Sequence, residues 1–171
     1  LLEVSQDSVT GLYPDYCLFD GKPYRRPNFD YNTDRYQYDA IRCPMNVGMD
    51  YYLTGKAKDA SKREQSDARI SSAEREQARP KVKDAQRTMM RRLLTFFKNE
   101  GFNGGQFNLD GTEPTGNYTE GMAGANAVGA FALADSDNEE DRALAREYVQ
   151  RLWDVQPPTG KWRYYVGMVY F

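Results

Sequence analysis

The chain has 171 residues, 28% charged and 40% hydrophobic, with a net charge of −2: the size and composition of one polar globular domain. That charge gives no electrostatic reason to expect nucleic acid or an anionic membrane as partner, and no stretch approaches the roughly 20 apolar residues of a membrane span. Histidine is absent, which excludes Ser-His and Cys-His nucleophile pairs and the commonest metal ligand; no cofactor is expected, and acid–base chemistry falls to carboxylates, Tyr or Lys.

Residues 1–37 read as loop, punctuated by Pro14, Gly21, Pro23 and Pro27. A loop this long in a compact domain is functional or disordered, and its aromatic content argues against disorder. Residues 39–53 read as a helix, with Ile41, Met45, Gly48, Met49 and Tyr52 on one face at three- and four-residue steps. Asp39 stands where an N-cap would. Proline is tolerated only in a first turn, so Pro44 allows this helix to begin as late as Arg42 or Cys43. Cys17 and Cys43 have no zinc-like spacing and read as two ordinary buried thiols.

Residues 56–79 are dense in charged and small polar side chains, the pattern of a solvated helix or a mobile excursion. Pro80 fits the first position of the next helix. Val82, Ala85, Met89, Leu93, Phe96 and Phe97 form its stripe, and Gly101 its stop. After a second loop at 102–119, Glu120 to Ala134 reads as a helix of small residues, able to approach its neighbours closely and expected to be central. Ser136-Asp137-Asn138-Glu139 is a capping box opening a helix that runs to about Trp153, with Leu144, Tyr148 and Leu152 inward. Pro157-Pro158-Thr159-Gly160 breaks it, and Trp162 to Phe171 opens one more. Helices alternating with long aromatic loops, and no credible strand pairs, predict an all-α toroid whose loops gather at one end to make a site.

Aromatic rings concentrate between Tyr13 and Tyr38, at Tyr51-Tyr52, and from Trp162 to Phe171. Flat rings with a polar tip suit sugar faces, though each also suits core packing. Asp34, Arg35, Tyr36, Tyr38, Asp39 and Arg42 sit within nine positions at a loop-to-helix junction. An arginine neighbour favours an ionised carboxylate, which can hold and deprotonate a water. An inverting glycosidase needs one such base and an acid across the cleft, roughly 6.5–9.5 Å away. The alternative is that Asp39 only caps its helix and pairs with Arg42.

Gly11-Leu12-Tyr13-Pro14-Asp15-Tyr16 and the run Tyr38-Asp39-Ala40-Ile41-Arg42-Cys43-Pro44-Met45-Asn46-Val47-Gly48-Met49-Asp50-Tyr51 resemble the stretch around the catalytic base of glycoside hydrolase family 8. Leu109-Asp110-Gly111, Gly121 to Val128 and Leu152 to Tyr165 resemble the later part of its reducing-end xylose-releasing exo-oligoxylanase branch. The resemblance covers most of the chain apart from residues 56–87, which look like an enlarged charged helical excursion. It implies a partial (α/α)6 barrel, the C-terminal part of a single catalytic domain that inverts β-1,4 bonds in xylan or a related glycan. It makes Asp39 the general base, and places Tyr38, Arg42 and Tyr165 around it. Tyr13 and Asp15 would border the cleft. Tyr118 stands where the exo-acting branch carries a specificity-setting histidine, and Trp162 heads the last aromatic cluster facing substrate.

The family's general acid, a glutamate near the start of its domain, has no counterpart here. Thr119-Glu120-Gly121 imitates its motif but sits in the late half, where Glu120 also reads as a first-turn glutamate facing the helix dipole. The expected partners are therefore an oligosaccharide or polysaccharide and the missing N-terminal half of the domain. Alone, the 171 residues are expected to be poorly stable or inactive. No signal peptide is visible at Leu1-Leu2-Glu3-Val4; a secreted or periplasmic full-length protein is expected, with the cytoplasm open to an oligosaccharide-processing enzyme. A non-catalytic glycan-binding or scaffold module remains the alternative, and a helical interaction module using residues 56–87 a third.

Overall fold

Small residues decide how the helices of this chain meet. The computed structural model describes residues 1–56, 72–161 and 163–170. Its helices are α1 (Leu2–Ser5), α2 (Cys43–Lys56), α3 (Ser72–Asn99), α4 (Glu120–Gly129), α5 (Phe131–Ala134), α6 (Glu139–Asp154) and α7 (Arg163–Tyr170), with a 3-10 turn over Tyr38–Arg42 ahead of α2. Strand-like pairing among the described residues is limited to the isolated bridges Cys17–Pro23, Tyr36–Phe107 and Gln106–Thr115.

The helix of small residues is central, as its composition predicts. Every residue of α4 except Glu120 and Val128 is buried, and α4 packs against α2, α6 and α7. Gly48 on α2 makes the closest approach: a Cβ there would lie 1.9 Å from the Val128 carbonyl oxygen. Thr119 caps α4, its hydroxyl accepting the Met122 N–H. The predicted continuous helix to Ala134 is divided at Ala130. There the N–H is shared between the Asn126 and Val128 carbonyls at ψ −15°, and α5 follows as a single turn.

Other boundaries differ from expectation for local reasons. Pro80 does not start a helix; it lies inside α3, at an exposed position. It removes one backbone donor, while the Ala, Glu, Gln and Arg that precede it are strong helix formers. Residues 57–71 of the predicted excursion lie outside the described residues, and residues 72–87 belong to α3. Asn138, not Ser136, caps α6 by accepting the Glu140 N–H at 2.8 Å. Ser136 is committed elsewhere, donating to Asp141 Oδ2 at 2.7 Å.

Beneath the loops lies a nest of rings. Tyr36, Phe97 and Phe107 are buried, Phe96 and Tyr118 meet them mostly edge to face, and Phe102 and Tyr148 extend the nest from Tyr118. Edge-to-face pairs place the positive ring edge on a negative face, adding about 0.5–1.5 kcal/mol each beyond burial. The Tyr148 hydroxyl reaches through the core to donate to the Leu94 carbonyl at 2.6 Å.

One charged pair ties α3 to α6, its carboxylate buried and its guanidinium partly in water. Arg91 on α3 donates from Nε and Nη2 to the two oxygens of Asp141 on α6, both at 2.6 Å, and the Asp141 side chain is only 2% exposed. The guanidinium contacts hold the Asp141 carboxyl below its ordinary range against the opposing effect of burial. Removing Arg91 strands that carboxylate. Arg91→Ala is expected to lower stability by roughly 2–4 kcal/mol at neutral pH, less than for a fully buried pair because Arg91 is partly in water. A depressed folded pKa contributes stability above the unfolded value and loses it as pH falls through the folded one. The difference between parent and variant should therefore persist above the ordinary aspartate value of 3.8 and shrink below it. Urea titrations at several pH values check this; a pH-independent difference would contradict it.

Candidate active site

The loop from Pro14 to Gln37 is pinned before it reaches Asp39. The Asp15 N–H donates to the Arg35 carbonyl at 2.7 Å and the Tyr16 N–H to the Thr33 carbonyl at 2.8 Å. On the other side Tyr36 and Phe107 exchange both backbone hydrogen bonds, at 2.9 and 3.1 Å. Tyr36 is fully buried against Phe97. The segment 33–37 is thus clamped between two others. The next residue, Tyr38, takes φ +38°, an unusual backbone for a ring-bearing residue, and turns the chain outward into the 3-10 turn.

Asp39 emerges on this turn with its side chain 58% exposed, and Arg42 Nη2 holds its Oδ1 at 2.5 Å. Asp39 is not the N-cap predicted for it: the cap position of the turn is Gln37, without a side-chain bond. A 3-10 turn spends the residues before Cys43, and the Asp39 carboxylate faces Arg42 instead of a backbone amide. An exposed ion pair of this kind adds little stability, roughly 0–1 kcal/mol, so its effect is to fix where the carboxylate points.

Rings flank the carboxylate. Tyr38 is 47% exposed and packs on Tyr31 with centroids 4.7 Å apart. The run continues from Tyr31 to Phe29 at 5.0 Å and from Phe29 to Tyr16 at 6.0 Å, with Arg26 over the Phe29 ring at 4.5 Å. Tyr165, on α7, lies close enough that Arg42 lowers its phenol pKa while Asp39 and Asp15 raise it, beneath the larger upward effect of burial. Asp15 adds a second carboxylate behind the turn: its Oδ1 accepts the Asp39 N–H at 2.9 Å.

The remaining residues of the sequence constellation are drawn away. Asp34 pairs with Arg25 at 3.0 Å, Arg35 donates to the Glu113 carbonyl at 2.7 Å, and Tyr36 is core. Tyr13 and Tyr118 also point inward. Tyr13 is fully buried, and Tyr118 packs on Phe97 and Phe102 while its hydroxyl accepts from Asn126 Nδ2 at 2.9 Å. Burial raises both phenols well above their ordinary range. Burial likewise pushes the Cys43 thiol, half-buried behind Arg42, up to about 12. Trp162 lies outside the described residues. Tyr31 and Phe29 belong to no motif in the sequence; the density of rings in the loop is the signal they leave.

Over 99% of its length the chain is 25% identical to the reducing end xylose-releasing exo-oligoxylanase of Bifidobacterium adolescentis, of which it spans 37%. Its fold matches a solved family 8 xylanase of Teredinibacter turnerae in complex with xylohexaose. The TM-score is 0.69 and the identity 28%, over 99% of this chain and 35% of that one. The chain is similar in sequence and fold to part of these family 8 enzymes. A cold-adapted family 8 xylanase matches in the same way, with TM-score 0.67 and 25% identity over 98% of this chain and 36% of that one. No family model matches the sequence. The chain spans about a third of the length of these relatives, and its helices correspond to part of their (α/α)6 barrel.

Proposed function

We propose that this chain supplies the general base and one wall of the cleft of an inverting glycoside hydrolase that cleaves β-1,4 bonds in xylo-oligosaccharides. The observation that carries the reading is Asp39: a half-exposed carboxylate, oriented by Arg42, on a ring-lined rim of a family 8 fold. Asp39 takes a proton from a water as that water attacks the anomeric carbon. A carboxylic acid across the cleft protonates the departing oxygen. That acid comes from the part of the domain beyond these residues, as does the opposite wall. The Teredinibacter relative forms a complex with xylohexaose, which favours xylose units as the sugar.

Inversion has a direct readout. In the full-length protein, hydrolysis of xylohexaose should release a new reducing end that is first α and then mutarotates, followed by proton NMR within minutes of mixing. A first product in the β configuration would refute an inverting mechanism. Faster turnover of cellohexaose than of xylohexaose would move the substrate to a glucan.

A further inference from the structure

We infer that Asp15 is a positioning residue for the base: its carboxylate caps the Tyr38–Arg42 turn from the opposite segment and fixes the backbone on which Asp39 stands. This rests on Asp39 being the base, as proposed above.

A 3-10 turn begins with backbone donors that have no partner within the turn. The position that normally supplies one, Gln37, does not: its amide donates to the Asn32 carbonyl at 2.5 Å. Asp15, 24 residues earlier, fills the role by accepting the Asp39 N–H at 2.9 Å. The next amide, Ala40, is satisfied within the turn, donating to the Gln37 carbonyl at 2.9 Å. The Asp39 amide at the head of the turn thus depends on one side chain from another segment.

Asp15 is itself held. Its own N–H is bound by Arg35 and the next N–H by Thr33, so its backbone is clamped to the segment that leads into the turn. The two ends of this small loop therefore lock each other. The lock acts where the chain most needs it, next to Tyr38 with its φ of +38°. An unfavoured dihedral persists only where surrounding bonds over-determine it.

The other oxygen, Oδ2, is buried without a protein partner. Burial raises the Asp15 carboxyl above its usual range, opposed by the Asp39 and Ala40 amides and by Arg42. The sequence placed Asp15 among residues bordering the sugar. The bond to Asp39 gives it a different task, acting on the substrate through the base.

The test measures kcat and KM separately in the full-length protein with xylohexaose. Asp15→Ala removes the acceptor and is expected to lower kcat ~10²-fold, the scale of a misplacement of about 1 Å, with KM changed less than ~3-fold. Asp15→Asn keeps an oxygen that can accept the same amide and should recover at least ~10-fold of that loss. Asp15→Ser, too short to reach the amide, should behave as Asp15→Ala and gives a second truncation if the alanine variant does not fold. Equal kcat for Asp15→Asn and the truncations, or a loss confined to KM, overturns the inference; the latter would make Asp15 a sugar contact. Asp39→Asn separates the two claims. If it abolishes turnover while Asp15→Ala is unaffected, only the positioning role falls. If Asp39→Asn retains turnover, the base assignment falls and the role of Asp15 with it.

Discussion

Asp39→Asn in the full-length protein should reduce kcat on xylohexaose by ~10²–10⁴-fold while leaving substrate affinity nearly unchanged. The amide is close to isosteric and can still accept from Arg42, so the turn and the ion-pair geometry around it need not move. What disappears is the ability to take a proton from water. The prediction is specific because Asp39 contributes little to stability: its side chain is mostly exposed and its ion pair with Arg42 is at the surface. Unfolding midpoints of parent and variant should agree. Turnover within about tenfold of the parent would remove Asp39 from the chemistry. A parent that binds xylohexaose without cleaving it would instead favour a non-catalytic glycan-binding module.

Gly48→Ala should be the most damaging single methyl in the described structure. The added Cβ would sit 1.9 Å from the Val128 oxygen, 2.5 Å from its carbonyl carbon and 2.8 Å from Gly129 Cα, all backbone atoms. No rotamer change relieves such a clash; α2 and α4 must separate by more than 1 Å, a distance set by ordinary contact radii. Overpacking of this kind costs about 3 kcal/mol or more, which outweighs the ~1 kcal/mol that alanine gains over glycine inside a helix. Because α2 follows directly from the Tyr38–Arg42 turn, the shift should also displace Asp39 and lower activity. Denaturant unfolding of the full-length variant checks this, and an unchanged or higher midpoint would show that the two helices have slack.

What the sequence revealed, and what it hid, follows from the range of the forces involved. The stripe of α3 from Met89 onward and the small residues of α4 were legible because helical periodicity and side-chain volume are local properties; Met89, Leu93 and Phe97 are buried as the spacing predicts, while Val82, at the stripe's start, is exposed. The caps were half legible. Ser136 and Asn138 are both good caps, and the choice fell to Asn138 because Asp141 had claimed the Ser136 hydroxyl. The site was misleading in a different way. Asp34, Arg35 and Tyr36 adjoin Asp39 in sequence, yet Arg25, Glu113 and Phe107 drew them off. Those partners lie 9 to 78 residues away, and nothing in a nine-residue window reveals them. Tyr31 reached the site by the reverse route, placed against Tyr38 by a loop path with no periodicity to read.

The clamp that holds segment 33–37 also has a tempo. Arg35 is fastened to Glu113 across 78 residues, and Thr10 to the Leu109 carbonyl across 99. Such closures come late in folding, since chain entropy must be lost before the contact repays it. On a ribosome adding about 5–20 residues per second, Arg35 waits roughly 4–16 s for Glu113 to exist at all. For that interval the segment leading to Asp39 is clamped on one side only, by Asp15 and Tyr16, and its face toward Phe107 and Glu113 is open to wrong partners. The rim of the cleft is thus the last part of this segment to become itself.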